Sequence, residues 1–80
     1  MSLRIIIKSA QLRGWIGERN GQPARRRDTD DELAVLFDGD KADYEMLSID
    51  EFIEIMKANH QVLLVDQEAG KTFHKFVQHG

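Results

Sequence analysis

No apolar run in this chain exceeds five residues, and each is closed by a charged or polar residue. The three longest are Ile5-Ile6-Ile7, Leu33 to Phe37, and Val62 to Val65. A bilayer-spanning helix needs about 20 apolar residues, so none is expected. Runs this short predict small elements joined by frequent turns. The 80 residues fit one domain, 1–80, and are too few for a Rossmann sheet or a (β/α)8 barrel. An apolar fraction of 41% suffices for one core and argues against wholesale disorder. Cysteine is absent, which excludes disulfides, thiolate nucleophiles and cysteine zinc sites. The opening Met-Ser-Leu-Arg-Ile-Ile-Ile-Lys lacks the apolar stretch of a signal peptide. A cytoplasmic location is therefore expected.

Local patterns predict the elements. Residues Leu3 to Ala10 are rich in β-branched side chains and read as a strand. In Gln11 to Glu18 the Gly14-Trp15-Ile16-Gly17 stretch predicts a bent strand, because glycine destabilises a helix by about 1 kcal/mol per position. Asn20 to Pro23 is a turn signal, and the polar residues from Ala24 to Asp31 read as an exposed loop. The Glu32 to Phe37 stretch reads as a strand; the alternative is a helix capped by Thr29 and Glu32. Asp38-Gly39 predicts a turn, and Ala42 to Leu47 another strand.

The most strongly patterned segment follows. Ser48 and Glu51 form the capping-box spacing, and Ile49, Phe52, Ile53 and Met56 fall on one helical face. A helix over about 49–58 is predicted, with Asn59 as its stop. Val62 to Val65 predicts a buried strand. Asp66 to Gly70 predicts a hairpin loop and Thr72 to Gln78 the returning strand.

Charge is segregated along the chain. Residues 1–27 hold seven basic groups against Glu18 alone, and 28–56 hold eleven acids against Lys41 alone. Opposite charge in consecutive thirds can solvate two faces, or steer a charged partner and a second copy of the chain. The acidic region with Trp15 gives the expected protein-contact surface: Trp15, Asp38, Asp40, Asp43 and Glu51. The alternative is a nucleic-acid surface built on Arg13, Arg19, Arg25, Arg26 and Arg27, since the arginine fork fits phosphate and Trp15 can stack a base. The sequence pI of about 5.5 opposes it. His60, His74 and His79 lack ligand spacing on any one element, and no metal or cofactor is expected. Ser2, Ser9 and Ser48 sit in no nucleophile elbow, so no catalytic residue is predicted.

Two resemblances bear on the fold. Gly14-Trp15-Ile16-Gly17 and Val35-Leu36-Phe37-Asp38-Gly39-Asp40 resemble turns of SH3-like and Tudor-like small barrels. The expected architecture is thus mainly β: a small antiparallel barrel or curled sheet with one helix and a C-terminal hairpin. The alternative is α+β with residues 30–37 helical. Residues 32–56 also resemble an EF-hand, which would imply calcium binding. That loop pattern wants oxygen ligands at positions 1, 3 and 5 and glycine at 6. Starting from Asp38, position 3 is Asp40, but positions 5 and 6 are Ala42 and Asp43, and position 12 is Ile49. The functional expectation is a non-catalytic protein-interaction module, an accessory component of a larger assembly; nucleic-acid binding and calcium binding are the alternatives.

Overall fold

The structure, a computed structural model, describes residues 1–37 and 42–78. Its elements are β1 (Leu3–Ile6), α1 (Ser9–Gly17), β2 (Gln22–Arg26), β3 (Leu33–Leu36), β4 (Tyr44–Met46), α2 (Ile49–Ala58), β5 (Gln61–Asp66) and β6 (His74–Gln78). The strands form two antiparallel three-stranded sheets, ordered β1-β5-β6 and β3-β2-β4. The chain is mostly sheet, as expected, but neither sheet closes, so the barrel expectation is corrected. The bent strand expected over Gln11 to Glu18 is helical instead, so the chain has one helix more than the expected barrel. No helix among the described residues is long and apolar enough to cross a membrane.

Helix α1 forms despite Gly14 and Gly17 because its other residues repay them. Leu12, Trp15 and Ile16 recur at i, i+3 and i+4 and are all buried. Burying one large apolar side chain contributes about 1.5–3 kcal/mol, enough to offset two glycines at about 1 kcal/mol each. The Gln11 side chain reaches back to accept the Ile7 and Lys8 N–H groups at 3.0 and 3.1 Å, occupying donors at the helix start. At the other end Asn20 turns through the left-handed region (φ 57°), and the Gly21 N–H returns to the Ile16 carbonyl at 2.8 Å. A Cβ on Gly21 would lie 3.0 Å from the Phe37 ring and 3.1 Å from Ile16, so a larger residue here would have to push those side chains aside by a few tenths of an ångström.

The segment after the turn was expected to be loop, but Gln22–Arg26 is the centre strand of the second sheet. Pro23 is tolerated there because it sits near the strand start, where the Leu47 N–H still donates to its carbonyl at 3.0 Å. Ala24 faces inward and is fully buried, while Arg25 pairs outward with Glu45 at 3.2 Å. Leu33–Leu36 is β3, paired with β2 from Leu33↔Arg25 to Leu36↔Gln22. The helical alternative for 30–37 is thereby overturned. Leu33 and Val35 bury one strand face, and a helix would have surrendered the ladder to β2. The Asp38-Gly39 turn lies outside the described residues.

Helix α2 forms as its sequence dictates. The Glu51 N–H donates to Ser48 Oγ at 3.1 Å, and the Glu51 carboxylate accepts the Ser48 N–H at 3.2 Å. Asp50 and Glu51 sit in the first turn and Lys57 in the last, favourable against the helix dipole. Phe52, Ile53 and Met56 are buried. The helix packs on α1 and β5 and also on β2 and β3, so it ties the two sheets to one core. The Phe52 ring, fully buried, lies 6.0 Å from that of Phe76 on β6. Val62, Leu63 and Val65 of β5 are buried, matching the expected buried strand. Gly70 takes the positive φ (77°) that the β5–β6 hairpin loop requires.

Candidate functional site

Strand β1 is an outer edge of its sheet. Its register with β5 fixes which main-chain groups are spoken for. The Gln67 N–H donates to the Ser2 carbonyl at 2.8 Å, which makes Ser2–Gln67 a hydrogen-bonded pair. In an antiparallel ladder such pairs alternate. Arg4↔Val65 and Ile6↔Leu63 are therefore bonded pairs, and the N–H and C=O groups of Leu3 and Ile5 point away from β5. Side chains alternate too. Ile6 is buried, whereas Leu3, Ile5 and Ile7 share the opposite face and are 47%, 54% and 47% exposed. An edge strand with free donors, free acceptors and an apolar row is a template for another strand.

Two grooves flank this edge. One, of about 530 Å³, has an apolar floor of Ile5, Ile7, Ile53, Met56 and Val62. Lys8, Lys57 and His60 stand at its rim. The other, of about 460 Å³, runs between β1 and α1 and is lined by Arg4, Ala10, Gly14 and Glu18 among others. Ala10 and Gly14 keep it open, and no atom lies within 4 Å of where a Gly14 Cβ would stand. A strand laid along β1 would thus have room for both of its alternating sets of side chains. A larger cleft, about 660 Å³, lies between β3 and β6. Polar groups already span it: Asn59 Nδ2 donates to the Asp31 carbonyl at 3.0 Å, and Gln78 Nε2 to the Asn59 carbonyl at 3.1 Å.

The residues singled out in the sequence do not assemble into one surface. Trp15 is 6% exposed, and its indole N–H donates to the Asp66 carbonyl at 2.8 Å, so it offers no ring to a partner or a base. Asp43 and Glu51 are exposed, but the Asp43 carbonyl accepts the Arg27 N–H and Glu51 caps α2. Asp38, Asp40 and His79 lie outside the described residues. Arg19 is buried and structural. Its guanidinium donates to the carbonyls of Trp15, Asp66, Glu68 and Lys71 and lies 4.7 Å over the Trp15 ring. Arg25 pairs with Glu45 and Arg26 with Glu32, and Arg27 Nε donates to the Ala42 carbonyl. Arg13, on exposed α1 surface, has no polar partner among the described residues.

The helix that would enter an EF-hand loop is instead strand β3. No group of three or more histidine, aspartate or glutamate side chains that could hold a metal ion is found among the described residues. His74 packs its ring against Trp15 and Phe37, at 6.1 and 5.6 Å, while His60 stands at the apolar groove.

Asp66 completes the structural cluster beneath β1. Its carboxylate accepts the Glu68 N–H at 3.0 Å and the Ser2 N–H at 3.3 Å. The Glu68 amide bond is the main cause holding its pKa below the ordinary aspartate value, with the Ser2 amide, the chain amine and Lys71 adding to it against some desolvation. Trp15, Arg19 and Asp66 together fix α1 to the loop after β5, and so fix the wall of the second groove. The β1 edge was missed in the sequence reading because strand order, not composition, decides which strand lies outermost. The triple isoleucine was the available signal. Compared with known proteins, the chain matches no family model, no curated protein and no solved structure.

Proposed function

We propose that this protein is a non-catalytic interaction module that binds an extended segment of a partner protein as a fourth strand beside β1. One observation carries the reading: Leu3 and Ile5 present outward main-chain donors and acceptors together with exposed apolar side chains. Main-chain bonds supply affinity in such strand addition, and pockets for alternate side chains supply selectivity. The two grooves provide those pockets. The buried charged side chains, Arg19 and Asp66, spend their bonding capacity on backbone groups, which gives them structural work.

A second copy of the chain fits this edge less well. Its own Ile6 is locked in its core and could not enter the groove beside Arg4. Pairing β1 with β1 in the register that sets Arg4 against Arg4 opposes like charges. Setting Ile5 against Ile5 forfeits the end bonds, because the Ile7 N–H is already held by Gln11.

Hydrogen exchange tests the proposal. A blocked peptide of alternating valine and threonine should slow exchange at the Leu3 and Ile5 amides and leave Arg4 and Ile6 unchanged. Ile5→Lys, which charges the edge without removing a rung to β5, should abolish that slowing at an unchanged melting temperature. Absence of any slowing at Leu3 and Ile5 at millimolar peptide overturns the reading.

A further inference from the structure

The chain as a whole is acidic, with a net charge of −3, yet the edge proposed for strand addition is not. Arg4 and Lys8 bracket Ile5-Ile6-Ile7 in sequence, and Lys57 reaches the same groove from the end of α2. Among the described residues no acidic side chain lines the apolar groove; its charged residues are Lys8 and Lys57, with His60 beside them. Of the acids of α2, Asp50 accepts the Ser9 hydroxyl at 2.8 Å, and exposed Glu54 lies one turn before Lys57 without lining the groove. Lys8 and Lys57 come from different elements, separated by 48 residues of sequence, and form no ion pair among the described residues. Two unpaired ammonium groups at the mouth of an apolar groove match an incoming chain that ends its apolar stretch on carboxylates.

Resting on the strand-addition reading, we infer that the partner segment is an acidic–apolar one: one or two carboxylates facing Lys8 and Lys57, followed by apolar residues at every second position. The apolar set lies beside exposed Leu3, Ile5 and Ile7, and the intervening set faces the groove of Ala10 and Gly14, where small or polar side chains fit. Antiparallel addition places the carboxylates at the N-terminal end of the bound segment, because Lys8 follows β1. Arg4 lies on the other side of the strand in a groove that Glu18 also lines, so the intervening set there is selected as polar with no preference for an acid.

Two blocked peptides separate the possibilities: Glu-Glu-Val-Thr-Val-Thr-Val and its counterpart beginning Lys-Lys. Each is titrated against the full chain at low salt, with amide exchange and chemical shifts at Leu3 and Ile5 as the readout. The acidic peptide should bind about 3-fold to 10-fold more tightly, and the difference should shrink on adding salt. In the Lys8→Glu/Lys57→Glu variant the preference should reverse; both positions are exposed, so the fold is retained. Equal binding of the two peptides, with Leu3 and Ile5 protected by both, overturns the charge inference and leaves strand addition standing. No protection by either peptide overturns both. Protection of these amides by raising the protein concentration alone makes a second copy the occupant and overturns the inference.

Discussion

Arg19 shows how far a side chain's role can depart from what its charge suggests. Its position among seven basic residues reads as part of a phosphate-binding surface, yet its guanidinium is enclosed by four carbonyl oxygens and a tryptophan face. A lysine keeps the charge but not the planar fork. Arg19→Lys should therefore destabilise the protein by at least about 1.5 kcal/mol, since it leaves buried carbonyls unbonded; urea unfolding measures it. Asp66 adds a pH dependence with a definite sign. Its folded pKa is depressed, so its contribution is complete above the unfolded value, about 3.9, and is lost as pH falls through the lower folded value. Thermal unfolding followed from pH 6 to pH 2 should show a decline below about pH 4 that is shallower in Asp66→Asn. An equally steep decline in the variant would remove Asp66 from this account.

Helix α2 and helix α1 obey different rules, and substitutions should separate them. In α2 the cap carries local stability. Ser48→Ala should lose about 1 kcal/mol. Glu51→Gln keeps an acceptor for the Ser48 N–H and should lose less than half of that, whereas Glu51→Lys also places a positive charge at the positive end of the dipole. Charge reversal at Glu51 thus changes folding as well as surface charge. In α1 the limiting factor is glycine. Gly14→Ala should stabilise the protein by about 0.4–1 kcal/mol, because the new methyl meets no atom and the helical backbone suits alanine. The same methyl narrows the groove beside β1 and should weaken peptide binding there, which calorimetry on the one variant can check against its melting temperature.

For the whole molecule the decisive contact is α2 against both sheets. The described fold spans 34 × 32 × 18 Å, thin enough that one helix can reach strands of each sheet. Phe52→Ala should cost about 3–5 kcal/mol, comparable to the entire net stability that a core of this size supplies. The variant is expected to be largely unfolded at 25 °C, with amide signals of β3 and β5 collapsing together; a sheet that survived alone would show that α2 does not couple them. The sequence by itself determined α2, the β5–β6 hairpin and β1, and left Leu33–Leu36 open between strand and helix until the ladder to β2 decided it. Their signals are local: a cap three residues from its acid, a 3.6-residue apolar spacing, a glycine where φ is positive, and β-branched runs closed by charge. The tertiary structure alone decided that Gln11 to Glu18 coils, that Gln22–Arg26 enters a sheet, that Arg19 and Trp15 are inside, and that β1 is left at an edge. Each of those outcomes depends on groups distant in sequence. The burial of Trp15 under Arg19 and against the Asp66 carbonyl outweighs two glycines, and strand order is set by which ladders the helices leave free.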